Sequence, residues 1–213
     1  MLTLPSMGVK ERKEREKLEK RELILEAAHN LFLERGFDQV SIRNIAEAIE
    51  YSPATIYLYF KDKNQIFHAL HTEAFRRFGE ALYTSQQGIA NPMDRLIKMG
   101  EAYMHFAINH PEYYDIMFIM KAPMEHVDEM DLKCDWPEGR KTHDYLESLL
   151  AECKEHGHFK NTENPYLSLL VWSTMHGLCS LKVRDRLRIY PEESREEMFT
   201  KAFDTFKQIL LTL

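Results

Sequence analysis

SPATIYLYFKDK, Ser52 to Lys63, reads as a short helix of about two turns. Ser52 takes the N-cap, and Pro53 takes the first helical position, where its missing N–H is not needed. Lys61-Asp62-Lys63 is the stop. Helices below about 12 residues are marginal in water, so neighbouring elements must hold this one. On its N-terminal side, Ser41 is expected to cap a second short helix through Ile49. Before that, Ile24, Ala27, Ala28, Leu31 and Phe32 keep a three-four spacing up to Gly36, which suits a left-handed helix end. On the other side, Asp62 to Gln65 reads as a capping box opening a long helix through Ile66, Phe67, Leu70, Phe75 and Phe78. Two short helices joined at Glu50-Tyr51 and flanked by longer ones make a helix-turn-helix. Ala46, Ile49 and Ile56 are predicted to share its small core, closed by Phe37 and Phe60.

The same residues carry a family resemblance. ILEAAHNLFLERGFDQVSIRNIAEAIEYSPATIYLYFKDKNQI, Ile24 to Ile66, resembles the DNA-binding domain of the TetR (tetracycline repressor) family. The shared patterns are A-x-x-L-F-x-x-x-G-F at Ala28 to Phe37, S-I-R-x-I-A at Ser41 to Ala46, and Y-x-Y-F-x-x-K-x-x-I/L at Tyr57 to Ile66. Glu50 departs from the family, which usually has glycine in the turn. In a helix-turn-helix the start of the second helix faces base edges while flanking groups hold phosphates. Ser52, Pro53, Ala54 and Thr55 are small enough for close approach, and Thr55 offers a hydroxyl and a methyl. The resemblance implies backbone or groove contacts for Tyr57, Tyr59 and Lys63, and Arg43 is suited to guanine or phosphate. With Ser41 and Lys61 these complete the expected DNA surface.

Composition narrows the class. With 44% hydrophobic and 29% charged residues, the 213-residue chain reads as an ordinary soluble protein. Cys134, Cys153 and Cys179 are odd in number and widely spaced, so neither a disulfide framework nor a zinc knuckle is expected. The charged run Lys10 to Glu22 stands where a signal peptide needs apolar residues, and no run approaches a membrane span. A cytoplasmic location without membrane association is the expectation. Residues 1–63 are net neutral and the rest carry the whole −6, so charge permits a DNA-binding face without demanding one. Acids and bases in KERKEREKLEKR fall at helical spacing, which favours a self-paired, solvated helix over an arm tracking phosphates.

The remaining chain is also helical in pattern. Asn91-Pro92 opens a helix with apolar residues on two faces: Met93, Leu96, Ile97 and Met104 on one, Met99, Tyr103 and Phe106 on the other. His110-Pro111 ends it, and another begins at Glu112 and runs to Phe118. Lys121 to Gly139 is acidic, contains Pro123 and Pro137, and reads as a loop, with helix resuming from Arg140 to Cys153. Asn164-Pro165 starts a strongly apolar helix, Leu167 to Leu181. Ser194 to Leu213 then places Phe199, Phe203, Phe206, Leu210 and Leu213 at four-three spacing. The resemblance implies that these last two helices pair with their copies in a homodimer, with Phe203 and Phe206 in the seam. Trp172 to Gly177 resembles the W-x-x-x-H-G signature of one C-terminal subfamily.

Catalytic signatures are missing: there is no Gly-rich phosphate loop, H-E-x-x-H or G-x-S-x-G. His156-x-His158 and the Asp/Cys/His-bearing stretch 126–143 could be imagined around a metal, but solvated side chains are the better reading. No enzyme activity, metal or cofactor is expected. Tyr103, Phe106, Tyr113, Met117, Phe118, Tyr145, Trp172, Met175 and His176 could fill a core or line an adaptable apolar pocket. No cluster of Lys or Arg marks these helices as an anion site. The expectation is an all-α chain with two domains. Residues 1–65 form the arm and DNA-binding domain, and 66–213 a helical ligand-binding and dimerisation domain. It would act as a ligand-responsive repressor that binds a palindromic operator in double-stranded DNA as a homodimer, released by a small-molecule inducer. The alternative is a DNA-binding helical dimer that senses no ligand.

Overall fold

The computed structural model describes residues 8–120 and 137–213. These residues form two compact units, one of 8–72 with Met120, the other of Glu73–Ile119 and 137–213. In the first unit, α1 (Val9–Arg35) ends at Gly36, whose φ of +81° is the left-handed turn glycine tolerates. The early part of α1 is exposed and laced with Arg12–Glu16 and Arg15–Glu19 pairs, as a solvated helix should be. Burial begins at Ile24, and Phe32, Phe37 and Phe67 then cluster with ring centres 5.0–5.6 Å apart.

Helix α2 (Ile42–Ala48) is capped by Ser41, which accepts from Asn44 N–H, and α3 (Pro53–Tyr57) by Ser52, which accepts from Thr55 N–H. At five residues α3 is shorter than its sequence suggests, the chain passing into a turn at Leu58. Between the two, Tyr51 N–H donates to Ala46 O at 2.9 Å and Glu50 N–H to Glu47 O at 3.2 Å, closing a Schellman turn with Glu50 at φ +59°. Ala46, Ile56 and Phe60 are buried, while Ile49 and Phe37 are only partly so. Helix α4 (Lys63–Thr84) is shared, the division falling between Thr72 and Glu73.

In the second unit, Asn91 caps α5 (Pro92–Asn109), accepting from Met93 and Asp94 N–H. The two expected apolar faces are one broad stripe: Met93, Leu96, Met99, Tyr103 and Phe106 are buried, with Ile97 and Met104 on its flanks. α6 (Pro111–Phe118) follows directly. Of the loop expected over Lys121 to Gly139, residues 121–136 lie outside the described residues, and 137–139 already belong to α7 (Pro137–Glu155). Before α8 (Asn164–Val183), Gly157 and Phe159 both have positive φ. A left-handed non-glycine costs about 1–2 kcal/mol, which burial of the Phe159 ring, worth about 1.5–3 kcal/mol, offsets. As expected, α8 starts at Asn164-Pro165, with Glu163 in the N-cap position. Two 3-10 turns, Arg186–Ile189 and Glu192–Ser194, lead into α9 (Arg195–Thr212). α5, α7 and α8 pack on one another around the core. No described helix is long and apolar enough to cross a membrane.

Candidate nucleic-acid interface and internal cavity

The N-terminal turn of α3 stands at the surface of the first unit. Ser52, Pro53 and Ala54 are exposed and Thr55 half-buried, its hydroxyl 3.1 Å from that of Ser52. Ile56 and Phe60 point inward, which turns Tyr57 out to 57% exposure and leaves Tyr59 half-buried, so the two tyrosines face different ways. Ser41, Arg43 and Lys61 are exposed too, and Arg43 is paired with Glu47 at 2.8 Å. Lys63 has a contact within the chain that the sequence does not reveal. Its ammonium donates to Phe37 O at 2.7 Å and lies 4.2 Å from the Phe37 ring centre. Burial lowers its pKa from the ordinary lysine value, with Asp38 opposing. The fold also brings two cations of α1 to this module, Lys20 over Tyr51 and Arg21 over Phe60. Sequence reasoning missed them, because nothing local pairs residues so far apart.

The second unit holds a half-open cavity of about 330 Å3. Of the expected pocket set, Tyr103, Phe118, Trp172 and Met175 line it. The other five do not. Phe106 is buried against Phe78 at 5.2 Å and Met117 is core, while Tyr113 lies under the Arg77 guanidinium. Tyr145 donates to Gln86 Oε1 at 3.1 Å. His176 is held in a polar network beside the cavity. Tyr114 Oη donates to its carbonyl oxygen at 3.0 Å and lies 2.8 Å from Nδ1, with Tyr103 Oη 3.3 Å from the same nitrogen. Burial lowers the His176 pKa, favouring the neutral imidazole, and raises both tyrosines.

Sequence reasoning missed the walls from α4 and α9. Phe75, Phe78 and Leu82 contribute one, and Phe203, Phe206 and Leu210 another. Phe203 and Phe206 were expected in a dimer seam, but at 4% and 9% exposure they are buried within the chain itself. Periodicity identifies an apolar stripe without saying whether it meets its own helices or a copy's. Gly100 makes room for Phe203: a Cβ there would come within 3.2 Å of its ring.

One trio among the described residues has metal-ligand spacing: His143, Asp144 and Glu147 on α7. Its acids already have partners, since Arg140 donates to Asp144 at 2.8 Å and the Ser168 hydroxyl to Glu147 at 3.2 Å. His156, just past the end of α7, has its Nδ1 2.9 Å from Glu152 O in the last turn of that helix. Residues 126–136 of the other stretch considered for metal lie outside the described residues. Cys153 and Cys179 are free and buried, and burial pushes their thiols up to about 11 and about 12, away from reactive thiolate. Cys134 is outside the described residues.

An all-helical chain with a capped helix-turn-helix in its first unit defines a helix-turn-helix protein. Comparison with known proteins agrees. The family described as "Bacterial regulatory proteins, tetR family" matches residues 24–70, and "Tetracyclin repressor-like, C-terminal domain" matches 96–206, just over half of the chain. The chain belongs to the TetR family. Among curated relatives, it is 34% identical over 74 residues to the HTH-type transcriptional repressor Rv1474c of Mycobacterium tuberculosis, covering 35% of this chain and 38% of that protein. It is 32% identical over 83 residues to the repressor AcnR of Corynebacterium efficiens, covering 39% and 43%. The match thus spans less than half the length of these relatives. Among solved structures, the fatty acid degradation regulator FadR from Bacillus halodurans superposes with a TM-score of 0.69 at 20% identity, covering 97% of each chain. A TetR/AcrR-family regulator from Thermobifida fusca gives 0.61 at 19% identity, covering 89% of this chain and 97% of that one. These two likenesses concern the fold.

Proposed function

We propose that this protein is a DNA-binding transcriptional repressor in which residues 1–65 grip a palindromic operator. Residues 66–213 would dimerise and bind a small apolar or amphipathic inducer. The observation that carries the reading is the exposed start of α3, where Ser52, Pro53 and Ala54 offer no bulk between the backbone and a groove floor. The repressor names of the curated relatives support it. The cavity favours sensing over a DNA-binding dimer without a ligand, because an apolar space of this size is suited to a small molecule. α4 is one continuous helix carrying both Phe67, in the first unit's core, and Phe78, in the cavity wall. An inducer that shifts α4 therefore acts on a helix the DNA-binding unit is built upon. Linkage is reciprocal, so DNA weakens the inducer by the factor by which the inducer weakens DNA.

The test is fluorescence anisotropy with the DNA upstream of the protein's own gene and with random duplex, across a salt series. Specific binding should exceed random binding by about a thousandfold or more. Thr55→Ala should narrow that ratio by about 1–3 kcal/mol while leaving random-duplex affinity close to the parent's. Equal affinity for both duplexes at every salt concentration would remove the operator reading.

A further inference from the structure

The cavity wall is aromatic and aliphatic, yet three of its lining side chains are cations or become cations on protonation: Arg140 and His143 from α7 and Lys207 from α9. Among the described residues no aspartate or glutamate lines it. The matching carboxylates stand off the wall: Asp144 at 2.8 Å from Arg140, Glu147 at 4.0 Å from His143, and Asp204 at 2.8 Å from Lys207. These three side chains also reach solvent, with Arg140 67% exposed, His143 30% and Lys207 23%, which places them at the edge of the cavity rather than its floor. Two are seated on the wall itself. The Lys207 ammonium lies 4.9 Å over the Phe203 ring, and the His143 ring is 5.9 Å from that of Trp172. Arg140 and His143 stand on α7 and Lys207 on α9, far apart in the chain, and all three line the one cavity.

We propose that the cavity takes an anionic amphiphile, its apolar body inside and a carboxylate head served by Arg140, Lys207 and His143. This rests on the ligand-sensing reading above and narrows it to one charge class. At about 30 Å3 for each water-sized group, the volume holds a body of on the order of ten non-hydrogen atoms. The acid partners do not block the head. Asp144 accepts from Arg140 Nε, and a guanidinium has five N–H donors, so a second carboxylate is served without breaking that pair. Lys207 has three donors, of which Asp204 occupies one, and its ammonium stands over Phe203. A neutral ligand of equal length keeps the apolar contacts but loses the charge-assisted hydrogen bonds. A cationic one meets like charge.

The test is titration calorimetry at neutral pH with decanoate and decyltrimethylammonium, each below its micelle threshold, and 1-decanol, below its solubility limit. Decanoate should bind about tenfold or more tighter than 1-decanol, and the ammonium should bind weakest. In Arg140→Gln/Lys207→Met the acid and the alcohol should bind within about threefold of each other, with 1-decanol affinity retained. Arg140→Gln alone, at a mostly exposed position, should move partway and guards against a folding defect in the pair; melting curves check both. If the alcohol or the ammonium matches decanoate in the parent, or if the double variant keeps the preference, the anionic assignment is wrong while sensing survives. If none of the three binds, both fail.

Discussion

The Lys63 ammonium, 2.7 Å from the Phe37 carbonyl oxygen and 4.2 Å from the Phe37 ring centre, ties the start of α4 to the turn after α1. A lysine used in this way stabilises the fold whether or not it also meets a phosphate. Lys63→Met keeps the aliphatic stem but leaves the carbonyl without this donor and removes the cation–π contact. The expected loss is about 1–2 kcal/mol, read as a lower urea midpoint at unchanged slope. A residue that only contacts phosphate would behave otherwise: stability would hold while the salt slope of DNA binding fell by about one. Measuring both quantities on one variant separates the roles, and an unchanged urea midpoint would show the Phe37 bond to be of no consequence. The pattern Y-x-Y-F-x-x-K located this lysine in the sequence, but its partner lies 26 residues away and only the fold supplies it. Tyr57 and Tyr59 were more legible, because helical period alone separates their directions and the structure exposes one and half-buries the other.

At the scale of elements, the α2–α3 turn depends on a residue ill suited to it. Glu50 at φ +59° occupies the position after the helix cap where glycine is usual, and the Schellman bonds from Glu50 and Tyr51 hold it there. A left-handed non-glycine costs about 1–2 kcal/mol, and glycine's extra unfolded-state freedom returns about 0.5–1 kcal/mol of any gain. Glu50→Gly should therefore raise stability by about 0.5–1 kcal/mol, whereas Glu50→Ala, which removes the charge but keeps a Cβ, should not. Equal melting temperatures for the three proteins would mean the turn relaxes without a left-handed residue. This unit was largely readable in advance because its signals are local: Ser41, Ser52, Pro53 and Gly36 each act within a turn of themselves. The cavity was not. Its wall draws on α4, α5, α6, α7, α8 and α9, and no window of sequence contains a residue from each.

At the scale of the whole molecule, the position of α9 decides which residues can hold two copies together. Its stripe of Phe199, Phe203, Phe206 and Leu210 faces the interior of its own chain, so a charge at Phe203 attacks the fold rather than an interface. A second stripe remains outside. Met198, Ile209 and Leu213 are exposed on α9 or just past it, and Tyr166, Leu169 and Leu170 on α8, at the three-four spacing of a packing face. We assign the proposed homodimer contact to these outward residues. In a twofold dimer each substitution counts twice, so Leu169→Glu with Ile209→Glu removes four apolar side chains. At about 1.5 kcal/mol or more each, the loss is on the order of 6 kcal/mol, or about four decades in dissociation constant. Sedimentation should then find monomers, with the helical circular dichroism retained because the two positions are 55% and 50% exposed within one chain. Phe203→Glu should behave differently, costing several kcal/mol by burying an unpaired carboxylate and lowering the helical signal itself. A double variant that sediments as an unchanged dimer would move the interface off α8 and α9.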